Sequence, residues 1–114
     1  MMNSELNVNQ ETLVSAWQER LGTILKPGDR AEVAADEGNP QAVRIHIDTA
    51  GRQDYSFDFQ CTYVDSREVR VDLVDVERAG ATTDERNENI QGMVSDYTRH
   101  IHECAQALQQ ITHH

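Results

Sequence analysis

Tyr55-Ser56-Phe57-Asp58-Phe59-Gln60-Cys61-Thr62-Tyr63 alternates apolar and polar residues without interruption. Successive side chains of a β-strand point to opposite faces, so this stretch makes a strand with its five odd-numbered residues inward and Ser56, Asp58, Gln60 and Thr62 outward. Such one-sided alternation belongs to an antiparallel sheet with one face in water. Working outward, Val43, Ile45 and Ile47 alternate with Arg44, His46 and Asp48, while Val69, Val71 and Leu73 alternate with Arg70 and Asp72. Each set gives a further strand, and a weaker one covers residues 30–36. Beyond Leu73 the apolar phase jumps to Val74 and Val76. A strand does this by inserting one residue, which predicts a β-bulge.

Matching apolar residues across each hairpin pairs Val33 with Val43, Ile47 with Tyr55 and Tyr63 with Val69. The turns are then centred on Gly38, Gly51 and Ser66, and the four strands form an antiparallel meander. No helix-length crossover separates them, which excludes a parallel sheet.

Helical periodicity flanks this sheet. Leu13, Trp17, Leu21 and Ile24, with Ala16 and Leu25 beside them, form one apolar face behind Asn9 as N-cap. Lys26 suits the last turn, and Pro27-Gly28-Asp29 ends the helix. At the other end, Thr82 and Glu85 read as a capping box. Ile90, Val94, Tyr97, Ile101, Cys104, Leu108 and Ile111 then recur at alternating spacings of four and three, with Met93 widening the stripe. A helix of roughly thirty residues would span about 45 Å. A ten-residue strand covers about 33 Å, so the last turns are expected to overhang the sheet or pair with a second copy. Gly92 within the stripe marks close packing or a bend. The fold class is therefore α+β: a four-stranded antiparallel meander with an N-terminal and a long C-terminal helix on one face, in the order α-β-β-β-β-α. Residues 1–9 are expected to form a flexible N-terminal arm, and residues 10–114 a single domain.

The 114 residues carry 10 Lys+Arg against 20 Asp+Glu, a formal charge of −10, with 38 % hydrophobic residues. That length allows one core and excludes a two-domain enzyme. The acidity disfavours DNA, RNA and anionic membranes as partners and favours a basic protein, although acidic side chains also serve solubility alone. No apolar run approaches a membrane span, and Met1 to Asn9 lacks the regions of a secretory signal, so a cytoplasmic location is expected. The terminal His113-His114 pair is set aside from functional reasoning.

Few chemical constellations are legible. Glycine-rich phosphate loops are absent, and no cofactor is implied. His100 and Cys104 share one helical face, with His102 and Glu103 nearby, but a structural zinc site wants four ligands, so no metal is expected. Cys61 and Cys104 lie on apolar stripes, where thiols are buried and inert. No G-x-S-x-G motif accompanies the serines. Catalytic residues are therefore not assigned.

The polar sheet face remains, and it admits a bland reading as a salt-bridged surface in water. Read functionally, Arg44, His46, Asp48, Asp58, Gln60, Arg70 and Asp72 form a candidate partner-binding surface, with Asp58 and Asp72 expected as near neighbours. It lacks exposed aromatics, so the stacking platform of single-strand nucleic-acid binders is missing. The strands at residues 30–36 and 68–76 are expected at the sheet edges, where they could accept a partner strand, with Glu32, Arg70 and Asp75 as gatekeepers. The leading expectation is a small cytoplasmic protein-binding module of adaptor, chaperone or inhibitor type, with a basic protein partner and a homodimer through the C-terminal helix. The alternative is a small-ligand binding protein or minor enzyme with a pocket near Trp17, Tyr55, Tyr97 and Cys104. Mimicry of nucleic acid by surface carboxylates is disfavoured by the ten interspersed positive charges.

Overall fold

The computed structural model describes residues 9–49, 55–78, 81–82 and 88–112. Helix α1 (Gln10–Ile24) precedes strands β1 (Arg30–Ala35), β2 (Ala42–Asp48), β3 (Tyr55–Tyr63), β4 (Val69–Arg78) and β5 (Ala81–Thr82), followed by α2 (Glu88–Ala107) and the short α3 (Gln109–Thr112). The strands pair antiparallel in sequence order, and the helices cover the apolar face. This is the α+β arrangement that the alternation predicts, extended by one two-residue strand.

Helix α1 begins where Asn9 Oδ1 accepts the Thr12 N–H at 2.8 Å. It ends at Ile24 with Leu25 as C-cap, so Lys26 falls beyond its last turn. Lys26 O accepts from Asp29 N–H at 3.1 Å. Gly28 between them has φ of 94°, the left-handed geometry that a type II turn demands and glycine adopts without strain.

Leu13, Trp17 and Leu21 of α1 meet Ile45, Ile47, Phe57, Phe59 and Cys61 of the sheet and Ile90, Ile101 and Cys104 of α2. Trp17 is fully buried, and its indole N–H donates to Tyr63 Oη at 3.1 Å, so the one polar atom of that ring is satisfied inside the core.

The structure corrects several expectations. Val33 pairs with Ile45, and Ile47 with Phe57, each two residues from the predicted register, whereas Tyr63 does pair with Val69. A slip of two leaves every side chain on its proper face, so apolar matching cannot detect it. Thr82 pairs with Glu77 in β5, and Glu85, the other half of the expected capping box, lies outside the described residues. The C-terminal helix is interrupted at Leu108, and Gly92 is exposed with nothing within 4 Å of a built Cβ, so it marks no close packing. The helical seam faces the chain's own core: Ile90, Tyr97, Ile101, Cys104 and Leu108 are all buried.

The bulge falls where the phase jump places it. Phe59 faces Leu73 and Asp58 faces Asp75, leaving Val74 as the extra residue, half exposed.

Candidate functional site

Alternation across β1 to β4 gathers the polar residues into rows. Ala34, Arg44, Gln60 and Asp72 form one; Glu32, His46, Asp58 and Asp75 the next; Arg30, Asp48, Ser56 and Glu77 a third. Among the described residues no helix covers this face. Asp58 therefore sits opposite Asp75, and Asp72 opposite Gln60. Asp58 and Asp72, expected as near neighbours, do not face each other: with Phe59 opposite Leu73 in an antiparallel pair Asp72 falls against Gln60, and the inserted Val74 sets Asp58 against Asp75.

Two hydrogen-bonded centres organise the face. Asp36, only 7 % exposed, follows β1 and accepts from Gly38 N–H at 2.8 Å and Gln60 Nε2 at 2.6 Å, with Arg44 Nε at 3.3 Å. The Gly38 N–H and the Gln60 amide, helped by Arg44, outweigh burial and hold its carboxyl below the usual aspartate value. Gln10 of α1 reaches the same turn, donating to Asp36 O at 3.2 Å. Sequence reasoning missed Asp36 as a hub. Its signal was the Asp-x-Gly spacing of an Asx-turn, in which the carboxylate accepts the backbone N–H two residues on.

The second centre is His46, whose Nδ1 lies 2.7 Å from Asp58 Oδ1 and whose Nε2 lies 3.1 Å from Asp48 Oδ1. Burial by itself would lower the imidazole pKa, but the Asp58 and Asp48 carboxylates together raise it above 6.5. With both ring nitrogens engaged, His46 has no lone pair free to act as a base. A histidine with a raised folded pKa adds stability that is fully present below the unfolded value of 6.5 and is lost as pH rises through the folded value. His46→Ala is thus expected to lower stability more at pH 6 than at pH 9, by up to about 1 kcal/mol for pairs this exposed to solvent. Urea unfolding at both pH values checks this; an equal loss at each would show that the clamp is not ionic.

Arg70 Nε pairs with Asp72 Oδ2 at 3.1 Å on β4. All seven predicted partner-binding residues thus share the face, but each cation is held by a neighbouring carboxylate: Arg44 by Asp36, His46 by Asp58 and Asp48, Arg70 by Asp72. Among the described residues, Glu32, Asp75 and Glu77 have no ion-pair partner. The face dips beside Arg30 into a groove of about 480 Å³ that His46, Asp48, Ser56 and Glu77 help to line.

Two further candidate groups are engaged or buried. His100 Nδ1 contacts Glu103 Oε1 at 2.9 Å, while Cys104 turns into the core. No group of three potential metal ligands occurs among the described residues. Trp17, Tyr55 and Cys104 pack into the core, and Tyr97 borders a cleft of about 200 Å³ beside Lys26, Asp29 and His100. Drug-sized ligand sites begin at about 300 Å³. No helix among the described residues is long and apolar enough to cross a membrane.

No protein-family model, no curated protein and no solved structure matches this chain. The fold and the face define a class only: an α+β domain presenting a predominantly acidic sheet face that no helix among the described residues covers.

Proposed function

We propose that the protein is a non-catalytic, cytoplasmic protein-binding module whose acidic sheet face receives a basic segment of another protein. The observation that carries this reading is the charge balance of one face. Glu32, Asp48, Asp58, Asp72, Asp75 and Glu77 share it with Arg30, Arg44 and Arg70, and Glu32, Asp75 and Glu77 have no cation paired to them among the described residues. A surface of one predominant sign steers an oppositely charged partner and raises its association rate. The groove at Arg30 offers a concave place where a lysine or arginine stem could lie between His46 and Glu77.

The test reverses charges that hold nothing else in place. Asp75→Lys with Glu77→Lys is expected to leave the melting temperature within a few degrees, because surface substitutions away from partners change stability by about 0.5 kcal/mol or less. Applied to host lysate, the immobilised wild-type protein should retain a basic protein that salt releases, and the variant should retain it at least about tenfold more weakly, equivalent to about 1.4 kcal/mol. Equal retention by both proteins would reject the sheet face as the binding surface.

A further inference from the structure

The two edges of the sheet are finished differently. At the β1 edge, Gln18 of α1 acts as a substitute strand: its Nε2 donates to Ala31 O at 2.7 Å, and its Oε1 accepts from Val33 N–H at 2.8 Å. Among the described residues the β4 edge has no such cover. Strand β5 pairs only with Glu77 and Arg78, and among the described residues nothing pairs with the outer side from Val69 to Val76. Val64 N–H donates to Glu68 O at 2.9 Å, so the even residues Arg70 and Asp72 bond inward to β3. By antiparallel alternation, Val69, Val71 and Leu73 turn their N–H and C=O groups outward. Their side chains lie on the apolar face yet stay only partly buried.

We propose that two copies of this chain pair through their β4 edges, antiparallel, about a two-fold axis at Val71. The sequence of the edge is self-complementary in that register. Val71 meets its own counterpart, Val69 meets the partner copy's Leu73, and Arg70 meets the partner copy's Asp72. The hydrogen-bonding residues Val69, Val71 and Leu73 then face one another. Arg70 and Asp72 fall in the non-hydrogen-bonded pair, where Cα atoms approach to about 4.5 Å and side chains interact most closely. Moving the axis to Arg70 or to Asp72 sets like charges opposite each other, which is destabilising. Beside Val69 a groove of about 640 Å³, bordered by Ala105 and Gln106 of α2, lies where the partner copy's Leu73 arrives. A two-fold contact of this kind is isologous and closes, so it makes a dimer rather than a fibre. This goes beyond the basic partner: the dimer places both acidic faces on the same side of one continuous sheet.

Charge exchange tests the register. Sedimentation velocity of the full chain at physiological ionic strength and about 100 μM should show a dimer, since a Kd weaker than about 1 mM would leave most of it monomeric. Arg70→Asp alone and Asp72→Arg alone should each weaken association at least about tenfold. These side chains are 67 % and 47 % exposed, so a thermal melt is expected to show both variants folded. Mixing the two singles should restore a heterodimer, because each then meets opposite charges, and the R70D/D72R double variant should dimerise with itself. A monomeric wild type overturns the proposal. So does a dimer indifferent to the single changes, which would place the interface elsewhere, or a mixture that stays monomeric while both variants melt like wild type.

Discussion

Phe57→Ala is expected to lower the free energy of unfolding by about 3–5 kcal/mol, the usual loss when a buried phenylalanine is truncated. Phe57 is fully buried, pairs with Ile47 on β2 and Val76 on β4, and lies between Tyr55, tilted against it, and Phe59, stacked on it, with centroids 6.3 Å away on each side. Tyr97 of α2 closes over it at 5.4 Å. The ring thus joins the middle of the sheet to the helix above, so its loss opens a cavity between them. Domains of this size are stable by roughly 5–15 kcal/mol, so this one substitution removes a large fraction of the total. Val74→Ala is the matched control: it removes methyl groups from a residue 46 % exposed in the bulge and should change stability by about 0.5 kcal/mol or less. Urea denaturation of both variants decides the matter. Comparable losses would mean that the aromatic row does not form the centre of the core.

The second large effect concerns the thiols. In the native protein, Cys61 and Cys104 are both expected to react with a thiol reagent at pH 8 at least about a thousandfold more slowly than in the unfolded chain, because reaction must wait for an opening that costs several kcal/mol. Both are free and fully buried. Burial pushes the Cys104 thiol up to about 12, and burial raises Cys61 further above its ordinary value. The reactive thiolate is therefore scarce even before access is considered. Following the release of the chromogenic thiolate during labelling, with and without urea, measures the ratio. Rapid labelling of one cysteine in the native state would contradict its place in the core and reopen the case for a reactive thiol.

The period of two in Tyr55 to Tyr63 and its neighbours was enough to specify the strands, their antiparallel order and the face each residue occupies. It was enough even for the bulge, since only an inserted residue reconciles Leu73 and Val76 with one apolar face. Register was less legible. The first hairpin is fixed by its turn, where Asp36 accepts from Gly38, Asn39 Oδ1 accepts from Gln41 N–H at 2.8 Å, and Gln10 binds the turn carbonyls from across the fold. The two Asx bonds are local, but the Gln10 bonds depend on atoms brought together only after α1 docks. Strand β5 is too short at two residues to carry a period, and the break at Leu108 has neither glycine nor proline to announce it.

The candidate site divides in the same way. Membership of the polar face by Arg44, His46, Asp48, Asp58, Gln60, Arg70 and Asp72 followed from alternation alone, because side-chain direction along a strand is a local property. Which of them touch was decided by register and by the bulge, which set Asp58 against Asp75 and joined Gln60 to Asp36, while Gln18 covers one sheet edge and nothing among the described residues pairs with the other from Val69 to Val76. Those are contacts between residues far apart in the chain. Their partners are chosen by the packing of the whole sheet against its helices, which no local pattern of apolar and polar residues encodes.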